Sequence, residues 1–294
     1  MNGLVCTLLR YSGAAWLWRE TIQRGKVTIL LFHDIEPSAA ERCFAYLERH
    51  YNIIGLADYL AGREGQRSLP PKAAVITFDD GHAGNYALLP VIKKHHLPVT
   101  IFLCSDIVGS RRHFWFKPSG GTAIDIESMK LLDNNERIET LNRHGLRQEA
   151  EYADYQALQD WQIEEMKPWV DFQSHTCTHP ILPRCSDETA EREVADSKKN
   201  LEGRYGLRIY ALAYPNGDYS ARDIAKAQAS GYRCGLTVDA GYNDLQSDLF
   251  RLRRLSVGDA RKGTTELMVK ASGLYVLLKH WVRHPDYGYK ENTE

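Results

Sequence analysis

The segment Ala73–Gly81 has the sequence AAVITFDDG, in which a short apolar run leads directly into two acidic residues and a glycine. A continuous run of this kind is typical of a strand that is buried on both faces of a parallel sheet. Gly81 allows the sharp turn that would bring both carboxylates to one site. We therefore predict that a buried strand ends at a pair of acids, Asp79 and Asp80.

Further strand-like runs alternate with helical patterns along the chain. The helical patterns are clearest at Ser38–Tyr51 and after the capping sequence Ser186-Asp187-Glu188, where we predict a charged surface helix that includes Glu193. This alternation indicates an α/β fold with a parallel sheet covered by helices, and a β/α barrel is its simplest closed form. The other predicted strands are Val27–Phe32, Val99–Leu103, Trp169–Phe172, Ile209–Ala213, Arg233–Thr237 and Leu252–Val257.

The composition is that of a globular protein. With 294 residues, of which 43% are hydrophobic and 26% charged, the chain can bury a large core in one barrel or in two ordinary domains. We predict a single domain over residues 1–294. The net charge of −1 gives no electrostatic reason to expect a nucleic-acid partner. The six cysteines include no CxxC pair, so we expect reduced thiols.

The two ends of the chain bear on its location. The N-terminal apolar segment is interrupted by Arg10 and lacks the basic start and small-residue cleavage site of a signal peptide, so we expect a cytoplasmic protein. The C-terminal segment, about 264–283, has an amphipathic helical pattern with a basic side. Such a helix either rests on a membrane surface, here the inner membrane, or packs against the barrel, which is the more common arrangement.

Residues at about 111–165 interrupt the alternation of strands and helices. The segment is aromatic at its start, His113–Phe116, and has a helical pattern afterwards. It is too long for an ordinary loop inside a compact domain. Two interpretations stay open: an insertion over the mouth of the barrel that shapes a substrate groove, or a helical hairpin without functional contacts.

The segment His175–His179, with the sequence HTCTH, follows another predicted strand. On a helical turn, residues four apart share a face, so both imidazoles could bind one ion. Together with Asp80 they form a two-histidine, one-carboxylate set of the kind found in catalytic zinc or iron sites. A divalent ion would also relieve the repulsion between Asp79 and Asp80, with one carboxylate as a ligand and the other ionised beside it.

A third motif, Ala213–Tyr219, has the sequence AYPNGDY. Its proline, asparagine and glycine predict a tight turn. Such a turn can direct a backbone N–H at a developing oxyanion and place an aromatic ring on a sugar face, which makes Tyr214, Pro215 and Asn216 candidate substrate or oxyanion residues. A plain turn is the alternative.

The first two motifs, with the third as a variant, resemble those of the polysaccharide deacetylase family, which has the NodB homology domain and is carbohydrate esterase family 4. The resemblance spans roughly Val27–Val257. It implies a deformed barrel, usually of seven parallel strands, with Asp79 as general base and with Asp80, His175 and His179 as metal ligands. Zinc is the metal that it implies first, with cobalt, manganese or nickel as alternatives.

The chain departs from the family pattern at two points. Many members have an arginine before the proline of the third motif, where this chain has Ala213 and Tyr214. The chain also has no clear Leu-x-His motif on a late strand, since the nearest match, Leu278–His280, lies in a helical pattern. We therefore consider Arg254 as a replacement for the arginine and His33 as a candidate general acid.

The predicted activity is metal-dependent removal of an N-acetyl group from an amino sugar in a bacterial surface polysaccharide or in a precursor such as a lipid-linked sugar. A hydrolase of another small amide or of a formamide, and a non-catalytic glycan-binding protein, are the alternatives. A glycosidase is less suitable, because its two carboxylates must flank the bond that is cleaved. The sequence leaves the glycan and the oligomeric state open.

Overall fold

The fold is described from a computed structural model of the chain. It describes residues 8–9, 11–118, 124–258 and 264–274. The strands are β1 (Val27–Phe32), β2 (Asn52–Ile53), β3 (Ala73–Phe78), β4 (Val99–Leu103), β5 (Val170–Ser174), β6 (Ala211–Ala213), β7 (Cys234–Ala240) and β8 (Leu252–Ser256). The α-helices are α1 (Ala14–Thr21), α2 (Pro37–His50), α3 (Leu56–Arg63), α4 (Leu89–His95), α5 (Ile126–Met129), α6 (Asn134–Arg143), α7 (Asp160–Met166), α8 (Asp187–Tyr205), α9 (Ala221–Ala229) and α10 (Thr264–Ala271).

Seven of these strands close into a parallel barrel. The order runs β1-β8-β7-β6-β5-β4-β3, and β3 pairs back with β1 along its whole length. Strand β2 stands outside the ring: it pairs with the start of β3, while β4 pairs with the end of β3 along the same edge. The predicted α/β barrel of seven parallel strands is confirmed.

The strands that were predicted from apolar runs are buried, as expected. Strands β1, β3 and β4 have the predicted bounds, and every residue in them is buried. Strand β6 is shorter than predicted because the side-chain oxygen of Gln173 accepts the backbone N–H groups of Tyr210 and Ala211, in place of the ladder. The two-residue strand β2 has no apolar run and was not predicted.

Helices cover the outside of the barrel. The predicted cap of α8 is present, with the Ser186 side chain accepting the backbone N–H of Thr189. The described part of the C-terminal segment packs against the barrel, since Leu267 and Ala271 belong to the core. Residues 275–283 of that segment, and with them Leu278–His280, lie outside the described residues. Within the described residues, no helix has both the length and the apolar character that a bilayer-spanning segment needs.

The predicted insertion, about 111–165, contains α5, α6 and most of α7. It is anchored to the barrel at its aromatic start, where Phe114 joins the main core and Trp115 packs with Leu141 and Ile181. Because all the strands of the barrel are parallel, the loops that follow them emerge at one rim. The three motifs follow β3, β5 and β6, so the fold brings them to the same rim as the insertion.

Candidate active site

A cavity of about 600 Å³ opens at this rim. One part of its wall comes from the insertion, with Trp115, Phe116 and Lys130. The rest comes from the barrel and includes all but three of the site residues predicted from the sequence. Those that line the cavity are His33, Asp79, Asp80, His175, His179 and Asn216.

The acidic turn is tight. Asp80 has φ 73° and Gly81 has φ 70°, both in the left-handed region that favours glycine and that aspartate tolerates. A Cβ atom at position 81 would also lie 2.6 Å from Cδ2 of Leu103. Both the conformation and the close packing therefore require glycine after the acidic pair.

Arg254 binds the first of the two acids. Its Nη1 and Nη2 donate to Oδ1 and Oδ2 of Asp79, each at 2.7 Å, and both side chains are buried. Its Nε donates to the carbonyl of Thr237 at 2.7 Å, which fixes the plane of the guanidinium. Burial alone would raise the pKa of Asp79, but Arg254 and His175 outweigh it, and the pKa lies below its ordinary value.

The second acid faces imidazoles instead. Oδ2 of Asp80 lies 3.0 Å from Nε2 of His82. Its Oδ1 lies 3.4 Å from Nε2 of His175 and 3.3 Å from Nε2 of His179, yet is buried without hydrogen-bond geometry to any described residue. Burial would raise the pKa of Asp80, but the neighbouring imidazoles hold it well below its ordinary value.

These donor atoms fit a divalent metal ion. Asp80, His175 and His179 each offer one ligand atom, and the three atoms lie within 4.8 Å of one another. Nδ1 of His175 lies 2.7 Å from the carbonyl of Ala213, so its N–H donates there and Nε2 is the ring nitrogen that faces the centre. Burial lowers the pKa of His179 to about 3, which leaves the neutral imidazole that metals bind. The orphaned oxygen of Asp80 is the atom that such an ion would satisfy.

The histidine segment does not form the helical turn that its spacing suggested. Thr176 has φ 65° and His179 has φ 61°, so the backbone reverses between the two imidazoles as an irregular loop. The insertion supports this loop directly. The indole N–H of Trp115 donates to the carbonyl of His179 at 2.7 Å, and the ring of Phe116 lies 4.5 Å from that of His179.

The third motif contributes one of its three candidate residues to the cavity. Asn216 lines the wall with φ 57°. Tyr214, a candidate for contact with a sugar, does not line the cavity: the residue is 0% exposed, its ring stacks on that of Tyr219, and its hydroxyl donates to the carbonyl of Phe250. Gly235 on the neighbouring strand leaves the space that the ring occupies. Pro215 is likewise buried and away from the cavity.

Two residues of this site were missed in the sequence. His82, against Asp80, directly follows the acidic motif, and that position was the available signal. Trp115 lay inside the aromatic start of the insertion, but nothing in the sequence linked it to His179. His33, the candidate acid, is half-buried in the cavity wall, and its backbone carbonyl accepts a hydrogen bond from Asn85.

Comparison with known proteins gives the family. A model of the polysaccharide deacetylase family matches residues 66–235, which is more than half of the chain. The chain is a member of the polysaccharide deacetylase family. All three motifs lie inside the matched region, whereas His33 and Arg254 lie outside it.

Individual relatives agree with this assignment. YxkH of Bacillus subtilis strain 168, provisionally named a polysaccharide deacetylase, is 23% identical over 84% of this chain and 77% of its own. The poly-β-1,6-N-acetyl-D-glucosamine N-deacetylase of Staphylococcus epidermidis is 25% identical over 70% of this chain and 62% of its own.

Solved structures share the fold. The Streptococcus pyogenes deacetylase PplD superposes with a TM-score of 0.63 at 19% identity, over 84% of this chain and 99% of its own. IcaB from Ammonifex degensii superposes with a TM-score of 0.59 at 20% identity, over 83% of this chain and 97% of its own.

Proposed function

We propose that this chain hydrolyses the N-acetyl group of an amino sugar in a bacterial surface polysaccharide or its precursor, with a bound divalent metal. The observation that carries the proposal is the separation of two adjacent buried carboxylates into different surroundings. Asp79 is paired with a cation, whereas Asp80 faces two imidazole donors. A metal-dependent hydrolase needs both an ionised base and a ligand at one place, and these residues supply them.

Asp79 is the proposed general base. The bidentate pair with Arg254 keeps it ionised and fixes its orientation. Its Oδ2 lies 3.9 Å from Nε2 of His175, so it stands beside the donor set without belonging to it. From that position it can accept the proton of a water that attacks the amide carbonyl, provided that the water lies within hydrogen-bond reach.

Asp80, His175 and His179 are the proposed ligands of a zinc ion, with cobalt, manganese or nickel as alternatives. When bound, such an ion polarises a carbonyl and lowers the pKa of a water ligand toward neutrality. The chain holds these ligands in a buried site, where electrostatic interactions are stronger than in water.

Asn216 and His33 also have proposed roles in the reaction. Asn216 lines the cavity in a tight turn, and we assign its backbone N–H to the developing oxyanion. His33 is the proposed acid that protonates the departing amine, because it lines the same cavity as Asp79.

The substrate class follows from the relatives and from the cavity. The named activity of the Staphylococcus epidermidis relative is removal of N-acetyl groups from poly-β-1,6-N-acetyl-D-glucosamine. The aromatic rings of Trp115 and Phe116 in the wall here offer apolar faces of the kind on which a sugar ring packs. An N-acetylglucosamine polymer, or a lipid-linked sugar that is its precursor, is therefore the substrate to test first.

The deciding experiment is the metal content of the purified protein, measured by elemental mass spectrometry beside H175A and D80A. We expect about one divalent ion per chain, lost in both variants, and acetate release from N-acetylglucosamine oligomers. A panel of small amides and formamides serves as the substrate control. Absence of any ion after incubation with zinc, cobalt or manganese would sink the proposal, and sugar binding without turnover would leave a glycan-binding protein.

A further inference from the structure

A buried carboxylate from helix α8 holds the loop between the two histidines. Glu193 is only 5% exposed, and its side chain points at the backbone of that loop. Its Oε2 accepts the N–H groups of Cys177 and Thr178, both at 2.9 Å. Its Oε1 accepts the hydroxyl of Thr178 at 2.6 Å. One side chain therefore satisfies three donors that lie between the candidate ligands.

The loop needs such support because of its backbone conformation. Thr176 and His179 are not glycines, yet both have positive φ. Conformations of this kind cost on the order of 1–3 kcal/mol each and persist only where the surroundings enforce them. The loop also makes one bond within itself, from the N–H of His179 to Oγ1 of Thr176 at 3.2 Å.

Other neighbours bind the carbonyl groups of the same loop. The hydroxyl of Ser197, one helical turn after Glu193, donates to the carbonyl of Thr176 at 2.9 Å. The backbone N–H groups of Ser105 and Asp106 donate to the carbonyls of Thr176 and Cys177. The carbonyl groups of the loop thus accept hydrogen bonds from α8 and from Ser105 and Asp106. The N–H groups of the loop at positions 177 and 178 instead donate to Glu193.

We infer that Glu193 is a positioning residue for the metal ligands: it fixes the peptide groups between His175 and His179 so that both imidazoles face Asp80. This inference rests on the proposed function, because it assigns a role at the same metal site. Length and shape of the side chain, more than its charge, should then decide the effect, since the acceptors must reach two specific N–H groups.

Two conservative variants separate position from charge. E193Q keeps the length and one acceptor oxygen but removes the charge, while E193D keeps the charge and is one methylene shorter. Zinc affinity, measured by competition with a chromophoric chelator, should stay close to wild type in E193Q. It should fall by about 10- to 100-fold in E193D, the loss expected when a partner of a metal ligand is removed. The reverse order would mean an electrostatic role and would overturn the inference.

Asp171 provides a matched control at the other end of β5. Its carboxylate also accepts three side-chain donors, from Thr100, Gln173 and Tyr210. D171N should lower the urea midpoint of unfolding and leave zinc affinity unchanged. If E193D also lowers only the midpoint, Glu193 is a stabilising residue and the inference fails.

A readout without metal separates this inference from the proposed function. The imidazole NMR shifts of His175 and His179 in metal-free protein should change in E193D and stay unchanged in E193Q and D171N. A wild-type protein that binds no ion refutes the proposed function, whereas unchanged imidazole shifts in E193D refute the positioning role.

Discussion

The acidic turn after β3 and the histidine loop after β5 are both buried and both contain non-glycine residues with positive φ, but they are held in different ways. The turn is supported from inside the barrel, by a cation: Arg254 on β8 binds Asp79. The loop is supported from outside the barrel, by an anion and an indole: Glu193 on α8 and Trp115 in the insertion. The insertion also binds the backbone of the turn, since the N–H of Leu158 donates to the carbonyl of Gly81. The comparison therefore concerns the side chains: a barrel residue orders the carboxylate of the proposed base, whereas the loop of the proposed imidazole ligands depends on residues of the outer layer.

The largest expected effect tests whether Asp79 and Asp80 have different roles, as general base and as metal ligand. D79N should lower kcat by about 10²- to 10⁴-fold, the usual contribution of a general base, because the amide cannot accept the proton. Its metal content should stay at the wild-type level, since Asp79 lies outside the donor set. The measurement is acetate release together with elemental mass spectrometry, and D80N, which should lose both properties, is the control. Unchanged turnover in D79N would refute the division of roles.

Removing the cation that supports the turn should cost stability as well as activity. R254M leaves Asp79 buried and unpaired, for which a loss of about 3–5 kcal/mol in the free energy of unfolding is expected. Because the folded-state pKa of Asp79 is lowered, the stability from this pair is present above about pH 4 and is lost as the pH falls through the folded-state value. Urea unfolding at several pH values measures it.

The double variant D79N/R254M sharpens this test. It removes both charges, so it should unfold at a higher urea concentration than R254M while remaining inactive. R254M should also move the acid limb of the pH–activity profile to higher pH, since the pKa of Asp79 rises without its cation. Additive losses of stability in the double variant would show that the two side chains do not act as a pair.

A smaller effect is expected from the outer support of the histidine loop. W115F removes the N–H that donates to the carbonyl of His179 but keeps an aromatic ring over the buried guanidinium of Arg137. One hydrogen bond is worth about 0.5–1.5 kcal/mol, so zinc affinity should fall several-fold. Trp161 gives the matched control, because it is an exposed residue whose indole N–H donates to the side chain of Gln159, just before α7. W161F should leave zinc affinity unchanged, and an equal loss in both variants would contradict the special role of Trp115.

The smallest expected effect concerns Tyr214, whose side chain is buried outside the cavity. Y214F deletes the hydroxyl that donates to the carbonyl of Phe250, so the free energy of unfolding should fall by about 1 kcal/mol. The KM for an N-acetylglucosamine oligomer should not change, because the ring does not reach the cavity. A clear increase in KM would restore Tyr214 as a sugar-binding residue.

The barrel could be predicted from the sequence because its strands are continuous apolar runs. Strands β1, β3 and β4 have the predicted bounds, and the rim position of the motifs follows from their place after strands. The conformation of the histidine loop could not be predicted, because neither residue type at Thr176 and His179 indicates a positive φ. The same limit applies to Glu193, which belongs to a helix that was predicted correctly but whose charged residues were expected at the surface.

Arg254 and Tyr214 show how much the candidate site depends on tertiary contacts. The sequence suggested that Arg254 replaces an arginine missing from the third motif, and the closing of β8 onto β1 brings it to Asp79. The aromatic ring of Tyr214 was assigned to the substrate because it stands in a turn motif. Gly235, which leaves space for this ring in the core, is on a different strand, so the sequence did not indicate that the ring is buried.

The bond from Trp115 to the carbonyl of His179 has a consequence for how enzymes of this kind could be diversified. The segment that supplies one wall of the cavity also supports the loop of the proposed metal site. Exchanging that segment with one from a relative, in order to accept a new glycan, would therefore change the affinity for the ion at the same time. If the exchanged segment keeps a tryptophan at position 115, we expect the glycan preference to change while the affinity of the proposed site for the ion is retained.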